Sequence, residues 1–219
     1  MRRSVLSLTV LLLLSSGNLA RAITLFDNGP ITDLDSSGSC DQGPTGCGGT
    51  GTWTVYDNFV IAGDAVMNGF DYTDWFSDGS GPANYVQTNW SLFDASPHSS
   101  PPIASGTATA VLTPTGPVDQ FMFSLSILPI GLAGGVEYWL GINNLVTDDI
   151  ITTFATVDDP GGVLSAVKQG DSETDVFDLH PSYSNRAFRI HGVPEPSSAS
   201  MLLIGLVALA VRRTGAAQR

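Results

Sequence analysis

Few residues of this 219-residue chain are spaced for chemistry. The best-spaced set lies in "DLDSSGSCD". There Asp33, Asp35, Ser37, Gly38, Ser39 and Asp41 fall on positions one, three, five, six, seven and nine of a calcium loop with EF-hand spacing. Oxygen ligands on alternate residues, with glycine at the bend, suit a hard cation. However, Pro44 stands where a bidentate glutamate belongs, and no helical pattern flanks the segment. Asp33, Asp35, Ser37 and Asp41 therefore form a calcium candidate that competes with a simpler reading, a solvated Asp/Ser/Gly turn.

Other constellations are thinner. "GDS" at Gly170 to Ser172 has a superficial likeness to an SGNH-hydrolase block, but it sits late in a β-rich chain, and "DLHPS" lacks the matching histidine spacing. No G-x-S-x-G occurs. His98, His180 and His191 never pair at i, i+2 or i, i+4, so they do not make a histidine metal site. Paired carboxylates can hydrolyse glycosides, yet so many acids are present that none is singled out. Trp53, Trp75, Trp90 and Trp139 lie on predicted strands. An exposed one could stack on a sugar ring, although a strand tryptophan is more ordinarily core. No catalytic residues and no enzymatic activity are expected. A carbohydrate-binding module is the alternative, and a glycan-active enzyme a more distant one.

The elements that would position these residues are strands. "TWTVYDNFVI" and "AVMNGFDYTDWF" are rich in β-branched and aromatic residues and are separated by the turn Ala62-Gly63-Asp64. In "YVQTNWSLFD", Val86, Thr88, Trp90 and Leu92 alternate with Tyr85, Gln87, Asn89 and Ser91. "QFMFSLSIL" puts Phe121, Phe123, Leu125 and Ile127 on one face. "GVEYWLGINNL" does the same with Val136, Tyr138, Leu140 and Ile142, leaving Trp139 opposite. "DIITTFATV" and "AFRIHG" follow. About eight to ten strands, with no sustained helical period, predict an all-β fold: an antiparallel β-sandwich of jelly-roll type over residues 23–192.

The ends explain export. "MRRSVLSLTVLLLLSSGNLARA" has a basic start, an apolar core and small residues at Ala20 and Ala22, which predicts a signal peptide over 1–22 cut after Ala22. The run Ala199 to Val211 would span roughly 20 Å as a helix against about 30 Å of hydrocarbon, a short membrane helix. Arg212 and Arg213, with Arg219, act as its cytoplasmic stop. Between Asp27 and Glu195 lie all 21 acidic residues and three basic ones, a net charge of about −18. Nucleic acid is therefore excluded as a partner, since no basic face exists. Cys40 and Cys47 flank a glycine-rich loop in an oxidising compartment and are expected to close it as a disulfide worth about 2.5 kcal/mol; free thiols are the alternative.

Val193-Pro194-Glu195-Pro196, then serines, an apolar helix and terminal arginines, resembles the PEP-CTERM sorting signal over 193–219. "ITLFDNGP", "VYDNFVIAGDAVMNGFDY", "VEYWLGINN" and "AFRIHG" are similar to a group of such proteins with an uncharacterised jelly-roll-like domain. The resemblance implies Sec export, an inner-membrane intermediate and processing near Pro194-Glu195-Pro196 by an exosortase, a membrane-embedded cysteine transpeptidase. It further implies delivery to the cell surface or exopolysaccharide matrix of a Gram-negative bacterium. Exosortase, the Sec machinery and possible exopolysaccharide are then the expected partners, and the β domain a structural or adhesive one.

Overall fold

The protein is described here by a computed structural model, which covers residues 22–29, 33–39, 53–76, 81–97, 99–116, 119–147, 152–156, 166–169, 177–179 and 186–195. The first strands are β1 (Ile23–Asp27), β2 (Asp33–Ser39), β3 (Trp53–Val60), β4 (Ala65–Phe76) and β5 (Tyr85–Phe93). Next come β6 (Ala104–Ala108), β7 (Val111–Pro114), β8 (Gln120–Leu132) and β9 (Glu137–Val146). The last are β10 (Thr152–Thr156), β11 (Ala166–Gln169), β12 (Phe177–Leu179) and β13 (Phe188–Pro194). Among the described residues only Gly81–Asn84 is helical, as one 3₁₀ turn. The long strands match the segments expected from alternation. The count exceeds eight to ten because β2, β6, β7, β11 and β12 are short or carry no alternating apolar pattern.

Among the described residues all pairings are antiparallel and build two sheets, one of seven strands and one of six. The first contains the order β1-β13-β4-β8, the second β3-β9-β5-β6. In chain order these eight strands pair from the outside inward: β1 with β13, β3 with β9, β4 with β8, β5 with β6. That is one long hairpin rolled into a sandwich, the jelly-roll winding. The remaining strands extend it. β7 adds beyond β8, and β11 and β12 add beyond β3. β10 continues the line of β13 along the same edge of β4, with β2 outside it.

Alternation explains which faces are buried. On β4 the inward set is Phe70, Tyr72, Asp74 and Phe76, all at most 2 % exposed. On β5, Thr88, Trp90 and Leu92 point inward as expected, but Val86 is 39 % exposed. A bulge between Tyr85 and Gln87 shifts the register there and turns Tyr85 toward the core instead. Aromatic contacts link the sheets' interior. Tyr72 stacks on Phe123 at 4.9 Å, and Phe59 lies 5.7 Å from Tyr138 and 6.0 Å from Phe188.

One expectation is corrected. Residues 33–39 are an extended strand paired with β10, not a turn or a wrapped loop. Along that extended run the backbone does not wrap at Gly38 as an EF-hand loop does, and the side chains of Asp33, Asp35 and Ser37 lie outside what the structure describes. Asp41 lies outside the described residues.

Candidate functional site

The interior holds a polar cluster that bridges the sheets. β4 supplies Tyr72 and Asp74, β5 supplies Tyr85 and Thr88, and β9 supplies Asn144. The Tyr72 hydroxyl donates to Asn144 Oδ1 and lies 2.7 Å from Thr88 Oγ1. Thr88 Oγ1 donates to Asn144 Oδ1 at 2.8 Å, and Asn144 Nδ2 donates to Asp74 Oδ2 at 3.0 Å. The Trp75 amide donates to Asp74 Oδ1 at 2.8 Å, and the Ala110 amide donates to the Tyr85 hydroxyl at 2.9 Å. Burial pushes the Tyr72 phenol well above its ordinary range, aided by Tyr85 and Asp74, and also raises Tyr85. Linked by these bonds and buried between the sheets, this cluster fixes how the sheets meet.

A second buried set lies where β3 meets the chain before β13. Asp57 Oδ2 accepts from the Arg186 amide at 2.6 Å and from Asn28 Nδ2 at 3.3 Å, while Oδ1 accepts from the Asn58 amide at 2.8 Å. Asn28 Nδ2 also donates to the Arg186 carbonyl at 2.8 Å. Burial pushes the Asp57 carboxyl up to about 7, against the opposing pull of the Arg186 amide and charge and the Asn58 amide. Arg186 is itself 1 % exposed, so a charge the sequence presents as a surface residue belongs to the interior.

The open polar surface is on the other side of β4. Asp71 and Thr73 face outward between Arg189 and His191 of β13 and Met122 of β8. With Gly29 and Thr115 they line a groove of about 230 Å³, with His191 at its margin. His191 Nε2 is 2.7 Å from Asp71 Oδ2, and Arg189 Nε donates to Asp27 Oδ2 at 2.9 Å. Trp75 projects from the same outward side of β4 and is half-buried. A carboxylate, a guanidinium and a hydroxyl line this groove, with an imidazole at its margin, and can hydrogen-bond a polar ligand. Among the described residues no three metal-ligating side chains converge.

The other predicted residues fall as follows. Trp90 lies in the core beneath Gly106, where an added Cβ would come within 3.2 Å of the indole. Trp139 is buried with Tyr56 and Phe93. Neither is a stacking platform. Ala22 is exposed immediately before β1. Ala20, Cys40, Cys47, Pro196, Arg212 and Arg213 lie outside the described residues, as do His98, His180 and "GDS". The outward Asp71–His191 pair, the Asp57 site and the Tyr72 cluster were not singled out from sequence. Period-two counting from Phe70 would have placed Tyr72 and Asp74 inside, but nothing local marks Arg186.

The C-terminal segment is seated on the sandwich. β13 crosses the boundary expected at 192: Gly192 pairs with Met67, Val193 with Val66 and Pro194 with Ala65. The Glu195 amide then donates to the Asp64 carbonyl at 3.0 Å. Gly192 is the tight point, since an added Cβ would lie 2.2 Å from the Val66 carbonyl oxygen and 2.6 Å from Leu25 Cδ1. The Asp64 corner is held in turn. Its Oδ1 accepts from the Gly134 amide at 2.9 Å, and the Gly135 amide donates to the Ile61 carbonyl at 2.9 Å. Val193 and Pro194 are thus both the last rungs of a sheet and part of the sorting motif.

Residues 192–214 match the PEP-CTERM protein-sorting motif. The match supports an exported protein that is processed by an exosortase. No curated protein matches the chain.

Proposed function

We propose that the processed chain is a non-catalytic structural or adhesive β domain, held at the cell surface or in the exopolysaccharide matrix of a Gram-negative bacterium. The observation that carries this reading is the sorting motif continuing directly from the last strand of a jelly-roll sandwich. The buried polar groups fit it as well, since their bonds are used in holding the sheets together. A body with a net charge of about −18 favours contact with a hydrated polymer through hydrogen bonds or bridging cations. Replacing Pro194, Glu195 and Pro196 with alanine should leave export intact and trap the full-length chain in the inner membrane. Intact-mass analysis of membrane and surface fractions decides it, and normal surface delivery of that variant would defeat the reading.

The outward groove favours a second reading, a carbohydrate-recognition module. Asp71, Thr73, Arg189 and His191 supply donors and acceptors, and Trp75 supplies an aromatic face on the same side of β4. Calorimetric titration with matrix oligosaccharides tests it. Binding that disappears in Asp71→Ala and His191→Ala supports recognition, and an absence of heat across the panel removes it.

A further inference from the structure

We infer that the folded end of β13 is the stop that positions the sorting cut: the sheet withholds the chain through Glu195, and the bond broken lies beyond it. This rests on the exosortase reading and deepens it. A protease cleft binds its substrate as an extended strand, so the backbone on the acyl side of the cut must be free of other pairings. Here that backbone is engaged. Val193 and Pro194 are in register with Val66 and Ala65, and the Glu195 amide is bonded to the Asp64 carbonyl. Ala65 and Met67, on the strand beneath, are at most 1 % exposed, so peeling β13 back to Gly192 would open the core.

The other end of the exported body lies beside it. Ile23 pairs with Gly192, so β1 begins next to the rungs where β13 ends. A leader cut after Ala22 and a tail cut beyond Glu195 would therefore both act at one pole of the sandwich, the pole that also carries the Asp64 and Gly134 turns. That pole must face the membrane while either hydrophobic segment is still attached. In the cut itself, the carbonyl carbon passes from the tail's amide nitrogen, which leaves as an amine, to the enzyme's cysteine thiol. It then passes to water or to an acceptor nucleophile.

Two measurements test the stop, and only one needs the sorting enzyme. In the uncut, detergent-solubilised full chain, hydrogen exchange at the Glu195 amide should be at least 100-fold slower than in an unstructured peptide. Gly192→Ala, which drives a methyl against the Val66 carbonyl, should lower that protection at least tenfold. Glu195→Gln keeps the backbone bond and should leave it unchanged. Free exchange at Glu195 in the unaltered chain overturns the proposal whatever happens in the cell. In the native host, the surface form should end at or after Glu195, and a terminus at Pro194 or earlier also overturns it. A chain that reaches the surface uncut defeats the exosortase reading instead, and the exchange measurement then decides the stop by itself.

Discussion

Asp71 and Asp74 stand three residues apart on β4 and do opposite things. Asp74 points into the sandwich, 1 % exposed, and accepts from Asn144 and Trp75. Asp71 points outward to His191 at the margin of an open groove. The pleat separates them, not their chemistry: Asp71, Thr73 and Trp75 lie on the outward side of the sheet, while Phe70, Tyr72, Asp74 and Phe76 face the other sheet. Inward carboxylates hold the fold together, while outward ones are available to a ligand. Side-chain changes in the two groups should accordingly affect different properties.

The largest effect is expected at Asp57, an inward carboxylate whose titration burial shifts. Its carboxyl is pushed up to about 7 from an ordinary 3.8. Between those values the folded chain keeps a proton that the unfolded chain has lost. Stability from this group is therefore full below pH about 4, falls as pH rises, and levels off above about 7. The whole loss is about 4 kcal/mol. Urea midpoints across that range should fall for the wild type and run flatter for Asp57→Asn, and parallel curves would contradict the assignment.

Next is Asp74→Leu, which leaves the Asn144 amide and the Trp75 N–H without their acceptor. We expect a loss of about 3 kcal/mol by denaturant unfolding, and a loss under 1 kcal/mol would mean that the cluster does not join the sheets. Tyr72→Phe keeps the stacked ring and removes one hydroxyl, so about 1 kcal/mol is expected in the same assay. On the outward side, Arg189→Ala breaks a pair whose members are 44 % and 43 % exposed, and thermal unfolding should shift by no more than about 0.5 kcal/mol. A larger loss there would erase the contrast between the two faces.

Much of this fold was legible because strand alternation is local. Phe121, Phe123 and Leu125, or Tyr138, Leu140 and Ile142, name their buried face without reference to any partner. The exceptions are places where a partner strand intrudes. Val86 is turned out by a bulge against β9. Opposite Asn68, three residues of β8 occupy the place of one, leaving Leu128 84 % exposed. β2 has the turn composition of "DLDSSGS", yet β10 supplies a ladder that holds it extended. The candidate groove was less legible still, for it joins Asp71 to His191 across 120 positions of sequence.

By itself, the sequence determined the all-β class, the acidic character of the exported body and the sorting motif near its end. Each of these follows from composition or from patterns within a few residues. Only the tertiary structure decided that Arg186 is interior, that β4's two faces divide its carboxylates, and that Val193 and Pro194 are rungs of a sheet as well as parts of a signal. Those facts depend on which distant strand lies alongside, and hydrogen-bond register between strands is not written in either strand alone.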